Sequence, residues 1–388
     1  MESTLGDTET HTLTRGLPGK VLMGYRIAIL GTGAVGSSVA GSLTQVGEDV
    51  WLIDQWPAHV EAMKSKGLRV NMAEGDLHVQ VRAMHLCEVC SLKRQFDLVF
   101  LASKSIDSHW LAHFIKPHLA PNGVLVSLQN SLNDEWVAPV IGHERDVASV
   151  VELAAELWDP GIVKRHTSPS RTWFALGELH GRVTPRVQQI AKILSAAGKT
   201  EINPNIWGAK WSKLTVNCMS QAVSGILRIS DWEISQNPKL LELCIMLGRE
   251  CLQVGMALGY RVEPIFGMTA EEILGATDEM LKRTLLTLFS HIGKTSINSF
   301  LQDLIKERPT EVHHMNGLVV EKGRHAVNTR GLNRFLQGHG RQNRGNALGQ
   351  HRLPRSRRAN EEDVMTSRAG NLQCAFRRHL SAHIAKIH

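Results

Sequence analysis

An apolar run from Tyr25 to Leu30 (YRIAIL) leads into a glycine-rich turn. A segment of small and apolar residues at helical spacing, SSVAGSLTQVG, follows it. A second apolar run, Asp49 to Ile53, ends at Asp54 and precedes a helix-like stretch from Pro57 to Lys66, with Pro57 suited to a first helical turn. Further strands are predicted at His78–Ala83, Asp97–Ala102, Gly123–Leu128, Asp146–Val151 and Thr172–Leu179, and a helix over Thr184–Ala197 is stopped by Gly198. Strands alternating with helices predict a doubly wound α/β domain with a mostly parallel sheet. Past Pro204 the pattern becomes helical with almost no strand signal, at Ile206–Ile226, Lys239–Leu258, Ala270–Ser290 and Thr310–Lys322. An all-α C-terminal domain is expected there.

Composition narrows the class. Hydrophobic residues are 43% and charged residues 21% of 388, the balance of a soluble globular chain of about two domains. No stretch has the roughly 20 apolar residues of a membrane span, and residues 1–22 resemble neither a secretory signal nor a transit peptide. They read as an N-terminal extension of a cytoplasmic protein. Six irregularly spaced cysteines give no disulfide framework, and Cys87 and Cys90, a C-x-x-C without a second pair, read as ordinary thiols rather than a metal site.

The net charge of +7 is unevenly spread. Residues 325–388 hold twelve Lys and Arg against three Asp and Glu, a net +9, which leaves −2 for the rest of the chain. The body therefore carries no basic field for nucleic acid. The tail has the charge for weak phosphate-backbone binding but no recognisable module, so nucleic acid is not the expected partner. A short helix at Leu372–Ile387 is its one regular feature; otherwise its composition predicts disorder.

Candidate chemistry begins at the turn after the first strand, Gly31-Thr32-Gly33-Ala34-Val35-Gly36. A G-x-G-x-x-G pattern is weak alone; between a strand and a helix it is the dinucleotide-binding signature. The first glycine makes the tight turn, the second lets backbone approach a pyrophosphate, and the third lets helix pack on sheet. The N-terminal domain is therefore read as Rossmann-type, over residues 23–203, followed by a helical substrate and catalytic domain over 204–324. Asp54 ends the second strand, where a carboxylate accepts hydrogen bonds from ribose hydroxyls and repels a 2′-phosphate, which favours NAD(H). Lys64, Lys66 and Arg69 lie near enough in sequence to reach such a phosphate, so both coenzymes stay open.

Three segments resemble the ketopantoate reductase family: LVFLASKSID with VLVSLQNSLND between Asp97 and Asn130, WSKLTVN at Trp211–Asn217, and SFLQDLIKERPTEVHHMNG at Ser299–Gly317. With the glycine turn they span residues 25 to about 324. The resemblance implies a Rossmann domain followed by a helical one, an active site in the cleft between them, and NADP(H)-dependent reduction of 2-dehydropantoate to pantoate in pantothenate biosynthesis.

It also implies roles. Lys213 is the general acid for the former carbonyl oxygen, Glu311 orients that lysine and contacts substrate, and Asn217 and Ser299 bind the substrate. Lys104 and Asn130 lie at the ribose and nicotinamide end of the coenzyme. Gln221 stands where a second asparagine is usual, His313 where an aspartate is usual, and Asp54 in place of a basic residue. These departures admit a different 2-oxo acid as substrate, or a catalytically disabled cofactor-binding protein. The abrupt change after Arg324, where the family continues its helical domain, has the character of an aberrant reading frame. A homodimer through the helical domain is compatible with the sequence.

Overall fold

The first strand is wholly inaccessible from Ile27 to Leu30, as a strand covered on both faces must be. The structure, a computed structural model, describes residues 24–263, 278–292, 296–324 and 326. The chain divides after Ile206 into two compact units.

In the first unit, β1 (Arg26–Leu30), α1 (Ala34–Gln45), β2 (Asp49–Asp54) and α2 (Pro57–Lys66) form the expected βαβα start. They are followed by β3 (Leu68–Asn71), β4 (Leu77–Val79), β5 (Arg82–His85), β6 (Phe96–Leu101), α3 (Ser108–Ile115), β7 (Leu119–Ser127), α4 (Asp134–Ile141) and β8 (Asp146–Glu152). β9 (Ala155–Asp159), β10 (Ile162–Arg165), β11 (Trp173–Glu178), α5 (Pro185–Leu194) and β12 (Lys199–Ile202) complete it.

The main sheet has eight strands in the order β12-β11-β8-β7-β6-β1-β2-β5. From β5 through β8 every neighbour pair is parallel, while β11 pairs antiparallel with β8 and β12 parallel with β11, so that these last two strands oppose the other six. Alternate residues of β1 face two different cores. Ile27 and Ile29 join Val39 and Leu43 of α1 and Val187 and Ile190 of α5. Ala28 and Leu30 join Leu111 and Ile115 of α3 and Val137 of α4. A period of two in the strand thus produces the double winding, and the order reverses at β1, between β2 and β6.

The expected strand His78–Ala83 is corrected to two. Leu77–Val79 belongs to a separate four-stranded sheet, β4-β3-β10-β9, and Arg82–His85 to the main sheet. Residues 80 and 81 carry the chain from one sheet to the other, so the apolar alternation reads as continuous although its hydrogen-bond partners change.

The second unit is helical: α6 (Ile206–Leu227, its first residue belonging to the first unit), α7 (Asp231–Ser235), α8 (Pro238–Ala257), α9 (Asp278–Ile292), α10 (Ser299–Ile305) and a helix over residues 316–324. Local chemistry sets the starts. Ser230 and Glu233 form a capping box, and Asn237 caps α8 ahead of Pro238 at its first position. Trp211 is fully buried, stacks on Tyr260 at 4.8 Å between centroids and donates its indole N–H to the Cys251 carbonyl at 3.1 Å.

The expected helix over Thr310–Lys322 starts later than the pattern suggests. Val312–His314 is a single 3₁₀ turn entered from Glu311, and the α-helix begins at residue 316. Of the helix expected over Ala270–Ser290, residues 270–277 lie outside the described residues, as do nearly all of the tail after Arg324 and the extension 1–22. Among the described residues no helix is long and apolar enough to cross a membrane.

Candidate active site

The glycine turn sits at the carboxyl end of β1, at the reversal point of strand order where α/β sheets take their ligands. Gly31 has φ +89°, and a Cβ there would lie 2.7 Å from the Ser103 backbone. Gly36 has no room either, because its Cβ would stand 2.2 Å from the Gly31 carbonyl oxygen. A Cβ on Gly33 would meet nothing within 4 Å. Two glycines are thus required by packing, and the third leaves open space over the backbone. Gly33 is the N-cap of α1, and the first-turn N–H groups of Ala34, Val35 and Gly36 have no partner within the helix, the arrangement that favours an anionic group. The cradle fits a dinucleotide.

Asp54 does more than end a strand. Its Oδ2 accepts the Thr32 backbone N–H at 2.6 Å and the Thr32 hydroxyl at 3.0 Å, and its Oδ1 accepts the Trp56 N–H at 2.8 Å. The carboxylate fixes the glycine turn at Thr32.

A second support reaches the same turn. The Gly161 N–H donates to His59 Nδ1 at 2.9 Å, which places the imidazole proton on Nε2, 3.3 Å from Ser37 Oγ; that hydroxyl donates to the Thr32 carbonyl at 2.7 Å. His59 is fully buried, and burial lowers its pKa against the opposing pull of Asp54, so the neutral form that the relay needs is the favoured one.

Lys104 and Asn130 follow β6 and β7 at the same edge of the sheet. A buried network steadies their loops. Gln129 donates to the Ser103 carbonyl at 2.8 Å and to Ser108 Oγ at 2.9 Å, while Asn133 donates to the Asn130 carbonyl at 2.7 Å and to Ser105 Oγ at 3.1 Å.

In the second unit Lys213, Asn217 and Gln221 occupy successive turns of α6 at i, i+4 and i+8, one face of the helix. Lys213 is half-buried and Asn217 buried, and the Gln221 amide donates to Asn217 Oδ1 at 3.3 Å. Glu311, 4% exposed, stands at the entry to the 3₁₀ turn, and His313 beside it is exposed. Asn316 donates to the Cys218 carbonyl at 3.1 Å and so ties the helix after that turn to α6.

Ser299 is the first residue of α10, after Asn298, whose Oδ1 caps the Leu301 N–H while its Nδ2 donates to Asp231 Oδ1 at 3.0 Å. Burial pushes the Asp231 carboxyl up to about 6, opposed by hydrogen bonds from Asn298 and Ser220. Cys87 and Cys90 are exposed free thiols, and among the described residues no group of three or more metal-binding side chains occurs.

Two family descriptions match the chain in tandem: ketopantoate reductase PanE/ApbA over residues 27–178, and its C-terminal domain over residues 205–337. The chain belongs to the ketopantoate reductase family. A 2-dehydropantoate 2-reductase of Pyrococcus horikoshii is 28% identical over 302 residues, covering 76% of this chain and 90% of the relative. One of Archaeoglobus fulgidus is 29% identical, covering 77% and 90%.

Among solved structures, a PanE/ApbA family ketopantoate reductase from Ralstonia eutropha superposes with a TM-score of 0.64 at 28% identity, over 77% of this chain and 91% of that one. D-Mandelate dehydrogenase with NADH and anilino(oxo)acetate gives 0.66 at 23%, a likeness of fold. Family membership places the chain among the oxidoreductases. The second match runs to residue 337, past the break that composition suggests at Arg324.

Several residues that steady these elements escape a reading of the sequence. His59, Gln129, Asn133 and Asp231 act through contacts distant in the chain, and no local motif announces them. Asp231 makes a testable case. Its carboxyl holds a proton in the folded protein up to about pH 6 but in the unfolded chain only to about 3.8. Stability from this group therefore falls as pH rises between those values, by about 3 kcal/mol in all. Asp231→Asn is expected to remove that slope, so that urea midpoints of variant and wild type diverge in the variant's favour from pH 4.5 to 7; parallel midpoints would refute it.

Proposed function

We propose that this protein reduces the keto carbon of a small 2-oxo acid, 2-dehydropantoate first among them, with a nicotinamide dinucleotide held at the Gly31–Gly36 turn. The tandem family match supports the reading, because it covers both the chain's dinucleotide cradle and the α6 face that carries Lys213, Asn217 and Gln221. The coenzyme, when bound, supplies hydride to the keto carbon.

The chain's own residues do the rest. Negative charge grows on the former carbonyl oxygen as hydride arrives, and the Lys213 ammonium stabilises it and donates the proton. Glu311 holds that ammonium in its productive rotamer. The amides of Asn217 and Gln221 bind substrate oxygens, and Ser299, at the start of α10, binds the substrate carboxylate. Lys104 and Asn130 hold the ribose and nicotinamide end of the coenzyme. Asp54 favours NADH, since a 2′-phosphate would meet its carboxylate.

A second 2-oxo acid is favoured by one observation. Gln221 spends one of its two amide N–H groups on Asn217 Oδ1, so the two side chains present a different set of donors from a pair of asparagines. Initial rates on 2-dehydropantoate and a panel of branched and hydroxylated 2-oxo acids, with NADH and NADPH, decide between them. Fastest turnover of 2-dehydropantoate supports the first reading and faster turnover of another acid the second. A protein that binds coenzyme but reduces none of them would overturn both.

A further inference from the structure

An ion-paired cluster flanks the proposed adenosine ribose position on the edge side of the main sheet. β2 and β5 pair in parallel with Asp54 opposite His85. His85 Nε2 lies 2.7 Å from Glu61 Oε1, and the His85 backbone N–H donates to Glu88 Oε2 at 2.7 Å. Lys64 Nζ donates to both Glu88 oxygens at 3.0 Å and lies 3.4 Å from Glu61 Oε1. One ammonium therefore serves two carboxylates, with Asp54 a third acid at the neighbouring strand end.

Of the other two cations near in sequence, Lys66 ends α2 two residues beyond Lys64, and Arg69 is an exposed residue of β3 in the second sheet. Titration follows the pairing. Glu88 holds the Lys64 ammonium above its usual range, while the His85 backbone N–H and Lys64 hold Glu88 below its own.

The geometry points to a coenzyme discriminator in two parts. Asp54 repels a 2′-phosphate, and Glu61 with Glu88 withholds Lys64, a cation of the helix that follows Asp54. The inference rests on the dinucleotide reading above and adds Lys64 with two positioning residues, Glu61 and Glu88, that act through it. Exposed ion pairs contribute little to folding, so neutralising these carboxylates leaves the fold intact. Glutamine keeps the acceptor oxygen for the His85 N–H and removes only charge.

The test is the ratio of NADPH to NADH dissociation constants, measured by quenching of protein fluorescence on the full chain. Wild type is expected to favour NADH. Glu61→Gln/Glu88→Gln is expected to lower the ratio about tenfold, the gain from one freed charge-assisted contact to phosphate. Adding Lys64→Met to that pair is expected to restore the wild-type ratio. General damage to the fold would weaken both coenzymes together and leave the ratio unmoved. An unchanged ratio in the double variant, or a triple variant as tolerant of NADPH as the double, overturns the discriminator. Wild type that binds neither coenzyme would overturn the dinucleotide reading itself, a failure distinct from the first two.

Discussion

Alanine at Lys213 is expected to lower kcat for 2-oxo acid reduction by about 10²- to 10⁴-fold, the range of a positioned proton donor, and to leave coenzyme affinity near its wild-type value. The separation follows from placement. Lys213 lies on α6 in the second unit, and the glycine turn that would hold the coenzyme lies in the first. Alanine is the best helix former, and Lys213 is half-buried beside the fully buried Trp211, so α6 should survive the truncation.

Lys213→Arg sharpens the test. It keeps the charge but holds its proton far more tightly, so it should retain some electrostatic help and recover little of the rate. Steady-state kinetics beside a coenzyme titration measure both quantities. A Lys213→Ala enzyme within tenfold of wild type in kcat would remove Lys213 from the chemistry.

Valine at Gly33 is expected to separate folding from binding in the other unit. Gly33 has φ −63° and ψ −163°, which ordinary residues adopt, and an added Cβ meets nothing within 4 Å. The thermal unfolding midpoint should therefore fall by only a few °C, about the cost of replacing a glycine N-cap by valine. The new methyls would fill the space where a pyrophosphate approaches the backbone, and coenzyme affinity should fall about 100-fold or more.

Gly36→Ala makes the contrast. Its Cβ would clash with the Gly31 carbonyl at 2.2 Å, so stability and binding should fall together. Differential scanning calorimetry with and without NADH reads both effects. A Gly33→Val protein that binds NADH normally would contradict the role given to this turn.

The legible parts of this chain are those decided within a few neighbouring residues. Apolar periodicity together with Gly31, Gly33 and Gly36 marks β1, the turn and α1, and Thr184 before Pro185 marks the start of α5. The second sheet was hidden because the pair that joins its two local hairpins is remote: Ile162 faces Arg69 in register, and neither residue carries a sign of the other. The helix expected around Glu311 was misplaced. The polar and apolar spacing around it suits a helix, yet the backbone turns once in a tighter form before residue 316. For Asp54 a sequence motif suggests a ribose ligand; the structure adds three protein donors on its two oxygens, visible only when the turn is folded.

The order of strands across the main sheet bears on how the chain is made. Synthesis at about 5–20 residues per second delivers the N-terminal end first. The strands that flank the coenzyme turn, β1, β2 and β6, with β7 beside them, are all present once Ser127 has emerged. β11 must wait for the chain to reach Glu178 and β12 for Ile202, and until β11 is made β8 is an uncovered apolar edge, open to pairing with another nascent chain. Helper proteins that shield such edges would be needed most in that interval, before the helical unit has begun.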